Sequence, residues 1–224
     1  MELNRNTVII TILSIVTIFA LLFAVYAMSN PSPQKEKTSN TVVPEAQTLT
    51  STDNITWSKD KKILLVEYGD IQCPACRNFN DILKGMEASD ADKDIVSKVT
   101  YVYRHYPLQQ MHKNALAAAY IAQAAAEQGK FFEVVDTLYD SQTDWEAKNN
   151  PKLEDYLKDV KLNFAKLKAD AASAKTKNIV TENVASGNRV GVNATPTFFL
   201  NGRKMEIGSI DDFKKQLRTA ATAK

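Results

Sequence analysis

Cysteine is scarce in this chain of 224 residues. There are two, and both fall in one four-residue stretch, Cys73-Pro74-Ala75-Cys76. A small disulfide-stapled scaffold, which needs several bridges, is excluded. Histidine is as scarce, with His105 and His112 alone. Those two plus the cysteines do not fall in the spacing of a structural metal centre, which wants about four ligands. Charge of one sign is not in excess either. The formal net charge of +2 removes the electrostatic case for nucleic-acid binding. There is no internal repeat, and the length suits one domain with a real core, alone or with a tail.

One long apolar run is present. Val8 to Met28 carries no charged side chain over about 21 residues, enough to span a bilayer as one helix. A cleaved secretory signal competes, with Val25-Tyr26-Ala27 as its small-residue site, but such apolar regions usually run roughly 7–15 residues. An uncleaved anchor over 8–28, behind a stub over 1–7, is therefore expected. Arg5 is offset by Glu2, and Lys35 and Lys37 sit on the other flank, so orientation rests on the ease with which large domains translocate. The expected localisation is the cell membrane, single-pass, with the folded domain extracytoplasmic; a secreted or periplasmic form is the alternative. No cysteine stands just after the run, which excludes a lipoprotein anchor.

Ser29 to Asn54 is rich in Pro, Ser, Thr, Gln and Asn and predicts a flexible tether, with a root-mean-square span on the order of 30 Å. The folded domain is expected over 55–224. Ile63 to Tyr68 predicts a buried strand. Pro74 suits the first turn of a helix, which would turn Phe79, Ile82, Leu83 and Met86 inward. Val99 to Tyr103 predicts a second strand. Asn114 to Gln128 predicts an alanine-rich packing helix with Leu116, Tyr120 and Ile121 on one side. A further helix is expected around Phe131 to Tyr139, and weaker ones over Leu153 to Leu167 and Ile179 to Val184. Thr197 to Leu200 and Lys204 to Ile207 predict a hairpin about Asn201-Gly202, and Asp211 to Thr219 a closing helix.

Both cysteines are spent on one C-x-x-C, which closes too short a loop to act as a staple. Redox use is favoured over a metal site or an inert disulfide. A helix amino terminus offers unpaired N–H groups and a partial positive charge. A thiol placed there falls into a pKa range of roughly 3.5–7.5. Cys73 is thus the candidate nucleophile and Cys76, one turn on, the resolving thiol. Glu67, six positions before Cys73, is either an exposed strand end or a buried acid that shuttles the proton of Cys76. Pro196 is either an edge feature or a cis-proline. His105 and His112 are expected to be structural, and Trp57 and Trp145 to be core or rim aromatics.

Three stretches carry a family resemblance. Val66-Glu67-Tyr68-Gly69-Asp70-Ile71-Gln72-Cys73-Pro74-Ala75-Cys76 resembles the active-site strand and motif of DsbA-like thiol:disulfide oxidoreductases, in particular the membrane-anchored, BdbD-like branch. Tyr103-Arg104-His105-Tyr106-Pro107-Leu108 resembles the exit of the second strand in that family. Gly191-Val192-Asn193-Ala194-Thr195-Pro196-Thr197-Phe198-Phe199-Leu200-Asn201-Gly202 resembles its cis-proline loop and hairpin. The resemblance runs from about Ile63 to the end. It implies an α/β thioredoxin fold with a helical insertion between the second and third strands, at about 109–186.

The resemblance also implies that Cys73 attacks, Cys76 resolves and Glu67 is the buried acid. Pro196, in cis, would face the disulfide, and Thr195, Pro74 and Ala75 would meet the substrate. It implies no cofactor beyond the Cys73–Cys76 disulfide. The implied partners are reduced exported proteins and a DsbB-like or VKOR-like membrane reoxidant, and a monomer is expected. Pro74-Ala75 departs from the Pro-His of the best-known DsbA proteins and lacks a histidine to help hold the thiolate. Alternative readings are a disulfide reductase or isomerase, and a non-catalytic tethered binding module or chaperone. An amino-terminal dimerisation domain of the DsbC type has no room before Trp57.

Overall fold

The computed structural model describes residues 16–23 and 41–223. The chain divides into two units, Met1–Thr38 and Ser39–Lys224. In the first, residues 16–23 form an exposed helix, α1. The expectation of a membrane-spanning helix over Val8 to Met28 is overturned: among the described residues, no helix is long and apolar enough to cross a membrane. Residues 8–15 and 24–28 of that run lie outside the described residues. The single-pass membrane localisation loses its support with the expected span.

The second unit runs α2 (Pro44–Gln47), β1 (Asn54–Trp57), β2 (Ile63–Gly69), α3 (Pro74–Ala88), α4 (Lys93–Val96), β3 (Val99–His105), α5 (Ala115–Ala126), α6 (Phe131–Asp140), α7 (Gln142–Trp145), α8 (Phe164–Ala172), α9 (Ala174–Arg189), β4 (Thr197–Leu200), β5 (Arg203–Lys204) and α10 (Ile210–Thr222). Among the described residues the sheet has five strands in the order β1-β3-β2-β4-β5. β2 and β3 pair in parallel, and the other neighbours are antiparallel. The helical insertion α5–α9 separates β3 from β4. This is the α/β thioredoxin fold that the sequence predicts, with β1 added at one edge.

β2 and β3 are buried along almost their whole length, because both faces of the sheet are covered. That is why Leu64, Leu65 and Val66 run consecutively rather than alternating with polar residues. On one face Leu65, Tyr101, Tyr103 and Phe198 join the main core with Leu83, Met86, Phe213 and Leu217 of α3 and α10. On the other, Leu64, Val66, Tyr68, Val102 and Phe199 pack with Ala46 and Val192.

The second face explains a difference from expectation. Residues 41–54, assigned to the tether by composition, lie on the folded unit: Ala46 is fully buried, and the Val43 N–H donates to Gly202 O at 2.8 Å. Arg104 fixes this strap. Its Nε and Nη2 form a bidentate pair with Asp53 at 2.9 and 2.8 Å, both side chains almost inaccessible. Its remaining donors reach Glu45 O, Thr48 O and Tyr68 Oη. Small polar residues hide such a segment from a composition argument, because its anchors are carbonyls and one aspartate.

Other elements shift for local reasons. α5 buries Ala118, Ala119, Ala122, Ala124 and Ala125 and leaves Leu116, Tyr120 and Ile121 only partly covered; close approach of the neighbouring helices selects the small side chains. The helix expected over Leu153 to Leu167 divides into a 3-10 turn, Leu153–Tyr156, and α8. Asn163 starts α8 by accepting from Lys166 N. β5 stops at Lys204 rather than running to Ile207.

Asp53→Ala would leave the Arg104 guanidinium buried without its counter-charge. The expected loss is about 3–5 kcal/mol, read from urea denaturation at neutral pH.

Candidate active site

The parallel register sets what lies beneath the motif. Leu65 faces Tyr101, Glu67 faces Tyr103 and Gly69 faces His105. Alternation puts all six on one face of the sheet, the face covered by α3 and α6. Glu67 is 2% exposed, which decides between its two sequence readings as to burial: it is not an exposed strand end. Its Oε2 accepts from Tyr101 Oη at 2.6 Å. Burial pushes its pKa up to about 8, against the lowering effect of that hydrogen bond, and the nearby Cys73 adds to the rise. Glu67 therefore carries a proton at neutral pH. Gly69 leaves the space this crowding needs. A Cβ there would stand 2.7 Å from Tyr103 Cε2 and 2.8 Å from Glu67 Oε1, closer than real side chains approach.

β2 ends at Gly69, and Asp70-Ile71-Gln72 turns the chain into α3. Cys73 is the N-cap of that helix and Pro74 its first residue. Both cysteines are free, and both are buried, Cys73 at 7% and Cys76 at 1% exposure. Cys73 Sγ lies 3.3 Å from Thr195 O, to which it donates when protonated. Hydrogen bonding from the Cys76 thiol lowers the pKa of Cys73 to about 5, helped by the Cys76 and Ala75 N–H groups and opposed by burial. Burial pushes Cys76 the other way, well above the ordinary thiol range, and the bond to Cys73 and, once it ionises above about pH 8, Glu67 add to that. One motif thus holds a thiolate and a protonated thiol side by side.

The Thr195–Pro196 peptide is cis, and the Thr195 carbonyl contact brings this loop against Cys73. Beside Pro196 opens a groove of about 260 Å³, floored by Phe79, Phe198, Met205 and Ile207, with Lys204 at its rim. Pro74 and Ala75 are exposed.

Several members of the site are not named by the motif. Tyr101 touches Glu67. Tyr139 Oη donates to Asp70 O at 3.2 Å and lies 3.2 Å from Tyr103 Oη. Gln142 and Gln72 tie the loop to the insertion through Ile71 O, Glu146 O and Asn114 N. The available signal was the period-two run Tyr101, Tyr103, His105, polar tips on a strand that is otherwise apolar. Both histidines are packed into the fold. His105 is buried between Tyr103 and Phe131, with neither ring nitrogen hydrogen-bonded; burial holds its pKa down to about 3. His112 Nδ1 lies 2.7 Å from Asp70 Oδ2. Trp145 is a core residue, and Trp57 is a partly buried rim residue whose ring lies tilted against Tyr101. Among the described residues, no group of three His, Cys, Asp or Glu side chains could hold a metal ion.

A reactive thiolate at a helix start, a buried partner thiol and a protonated acid beneath them make a site for thiol:disulfide exchange, and the molecule is an enzyme of that class. The comparisons agree: residues 51–219 match the family Thioredoxin_4, thioredoxin, and the chain belongs to it. The solved structures it resembles include oxidised BdbD from Bacillus subtilis, with TM-score 0.67 at 20% identity, covering 82% of this chain and 100% of that one. The alpha-DsbA1 of Wolbachia pipientis gives 0.62 at 20%, over 77% and 94%. A thioredoxin-like oxidoreductase from Silicibacter pomeroyi gives 0.63 at 20%, over 78% and 95%. Among curated sequences, the Na(+)/H(+) antiporter NhaA 1 of Mycolicibacterium vanbaalenii is 31% identical over 183 residues, 78% of this chain and 26% of that protein. The NhaA 3 antiporter of Salinispora tropica is 30% identical over 155 residues, 68% and 22%. The chain spans about a quarter of the length of these relatives.

Alkylation of the reduced protein with iodoacetamide is expected to rise through a midpoint near pH 5, with the label on Cys73, while Cys76 stays unlabelled through pH 8. Equal labelling of the two would contradict the assigned asymmetry.

Glu67 also sets a stability slope. Its folded pKa of about 8 lies above its ordinary 4.5, so its contribution is complete below pH 4.5 and is lost as pH rises to about 8. In a Cys73→Ser background, which removes the opposing thiolate contribution, Glu67→Gln is expected to gain stability over its parent between pH 5 and pH 9. Urea midpoints at the two pH values check the sign.

Proposed function

We propose that this protein oxidises paired thiols in other proteins by exchange through Cys73 and Cys76. The observation that carries the reading is the opposed environment of the two sulfurs, with Cys73 lowered to about 5 and Cys76 held protonated over an acid loaded with a proton. A client thiolate attacks Cys73 Sγ of the oxidised pair. The Cys73–Cys76 bond breaks, a client–Cys73 disulfide forms, and Cys76 leaves as a thiolate that takes its proton from Glu67. A second client thiolate then attacks the client-side sulfur. Cys73 leaves as the stabilised thiolate, the client keeps the disulfide, and the pair gains two electrons. Pro74, Ala75, Thr195 and Pro196 border the attacked sulfur and form the client surface, with Thr195 offering backbone for an extended segment.

A thiolate stabilised at Cys73 favours the reduced pair and so raises the potential. This supports the oxidising direction. The family resemblance implies exported proteins as clients and a DsbB-like or VKOR-like partner to restore the disulfide. The reductase or isomerase reading runs the same exchange on the same machinery with the electrons flowing the other way.

Equilibration with glutathione separates the two. The oxidase reading expects a potential clearly above thioredoxin's, which is about −270 mV; a value at or below that assigns the reductive direction. Cys76→Ser is expected to accumulate mixed disulfides between Cys73 and client proteins, visible by mass spectrometry and released by dithiothreitol.

A further inference from the structure

We infer that His112 is a positioning residue for Cys76, acting through Asp70 across the joint between the active-site loop and the helical insertion.

Asp70 is 1% exposed, and a buried carboxylate is costly unless its oxygens are satisfied. Its Oδ1 accepts from Gln72 N at 2.8 Å. Its Oδ2 accepts from Leu108 N at 2.8 Å and pairs with His112 Nδ1 at 2.7 Å. Two of these partners are backbone amides. The third is the imidazole of His112, whose side chain is 17% exposed.

The backbone of the same residue meets both cysteines, one at its sulfur and the other at its amide. Its N–H donates to Cys76 Sγ at 3.5 Å, and its carbonyl accepts from Cys73 N at 3.0 Å. Burial and the bond to Cys73 keep Cys76 protonated, whereas the Asp70 N–H favours its thiolate. The direction of that N–H is set by the Asp70 side chain, clamped at one end by Leu108 and His112. His112 itself is held in a compact turn, with His112 N donating to Leu108 O at 2.9 Å and Ala115 N to His112 O at 3.1 Å. The sulfur that must become a thiolate in exchange is therefore oriented by a side chain at the head of α5, 36 positions further along the sequence.

The inference rests on the reading that Cys76 is the resolving thiol, and the test separates the two. Reduced protein is mixed with oxidised glutathione, quenched with acid, and the Cys73–glutathione mixed disulfide is followed by mass spectrometry. The first step is attack by the Cys73 thiolate, which breaks the glutathione disulfide and releases one glutathione thiolate. The second is attack by the Cys76 thiolate on Cys73 Sγ, which closes the pair and releases the other. Closure is the same step whichever way electrons flow in the cell.

His112→Ala is expected to slow closure roughly tenfold, the size of one hydrogen bond to a charged atom, and to leave the first step and the pH midpoint of Cys73 alkylation within about twofold. His112→Asn, whose side-chain amide can donate to Asp70 Oδ2 from near the Nδ1 position, is expected to restore closure to within about twofold of the parent. Unchanged closure in His112→Ala overturns the inference. So does equal slowing of both steps, or failure of His112→Asn to restore closure while its thermal midpoint matches the parent's. If the parent forms no mixed disulfide on Cys73 at all, the underlying reading of the cysteines fails first, before any variant is compared.

Discussion

The parallel pairing of β2 with β3 is the constraint on which the site depends. It buries both strands on both faces, so every side chain along them must be apolar or satisfied. It also places each residue of β2 beside a fixed residue of β3: Glu67 beside Tyr103, Gly69 beside His105. A slip of one residue would turn Glu67 to the opposite face, away from Tyr101 and from the motif. Gly69 gives the strand its last position under the crowd of Tyr103 and Glu67, and the chain then turns directly into the helix that Cys73 caps. The redox asymmetry of the two sulfurs follows from that position. One sits at the helix mouth, within reach of donors. The other sits a turn inside, over a neutral acid.

The insertion completes the site rather than merely covering it. Tyr139 from α6, Gln142 from α7 and the residues before α5 each bond to the short Asp70–Gln72 loop. A thioredoxin layout alone would leave those loop carbonyls and amides to solvent. Here they are answered by residues that arrive from 38 to 71 positions downstream, which holds the C-x-x-C in one pose.

Much of this was legible in the chain. The C-x-x-C after an aliphatic run gave the strand and the helix start, and with them a candidate nucleophile, because each rests on local chemistry. Glu67 stood out as an acid among aliphatics, although its burial needed the second strand. The partners of Glu67 and Asp70 were not legible. Tyr101, Tyr139 and His112 meet them only through register and helix packing, which leave no local trace. The strap over 41–54 was missed for the opposite reason. Its composition argued for disorder, and the one residue that binds it, Arg104, sits far away in an apolar strand. The length and hydropathy of Val8 to Met28 predicted a bilayer span that no described helix provides.

Arg104 holds the strap by the carbonyls of Glu45 and Thr48 and by the carboxylate of Asp53. A carbonyl is the same whatever side chain its residue bears. Along those nine positions, then, the only letter the grip itself requires is the aspartate; the others are free to drift as long as the backbone keeps its course. Two proteins sharing this device could differ almost completely in the strap and still wear it in the same place, so the strap would look unrelated in an alignment and superpose in space.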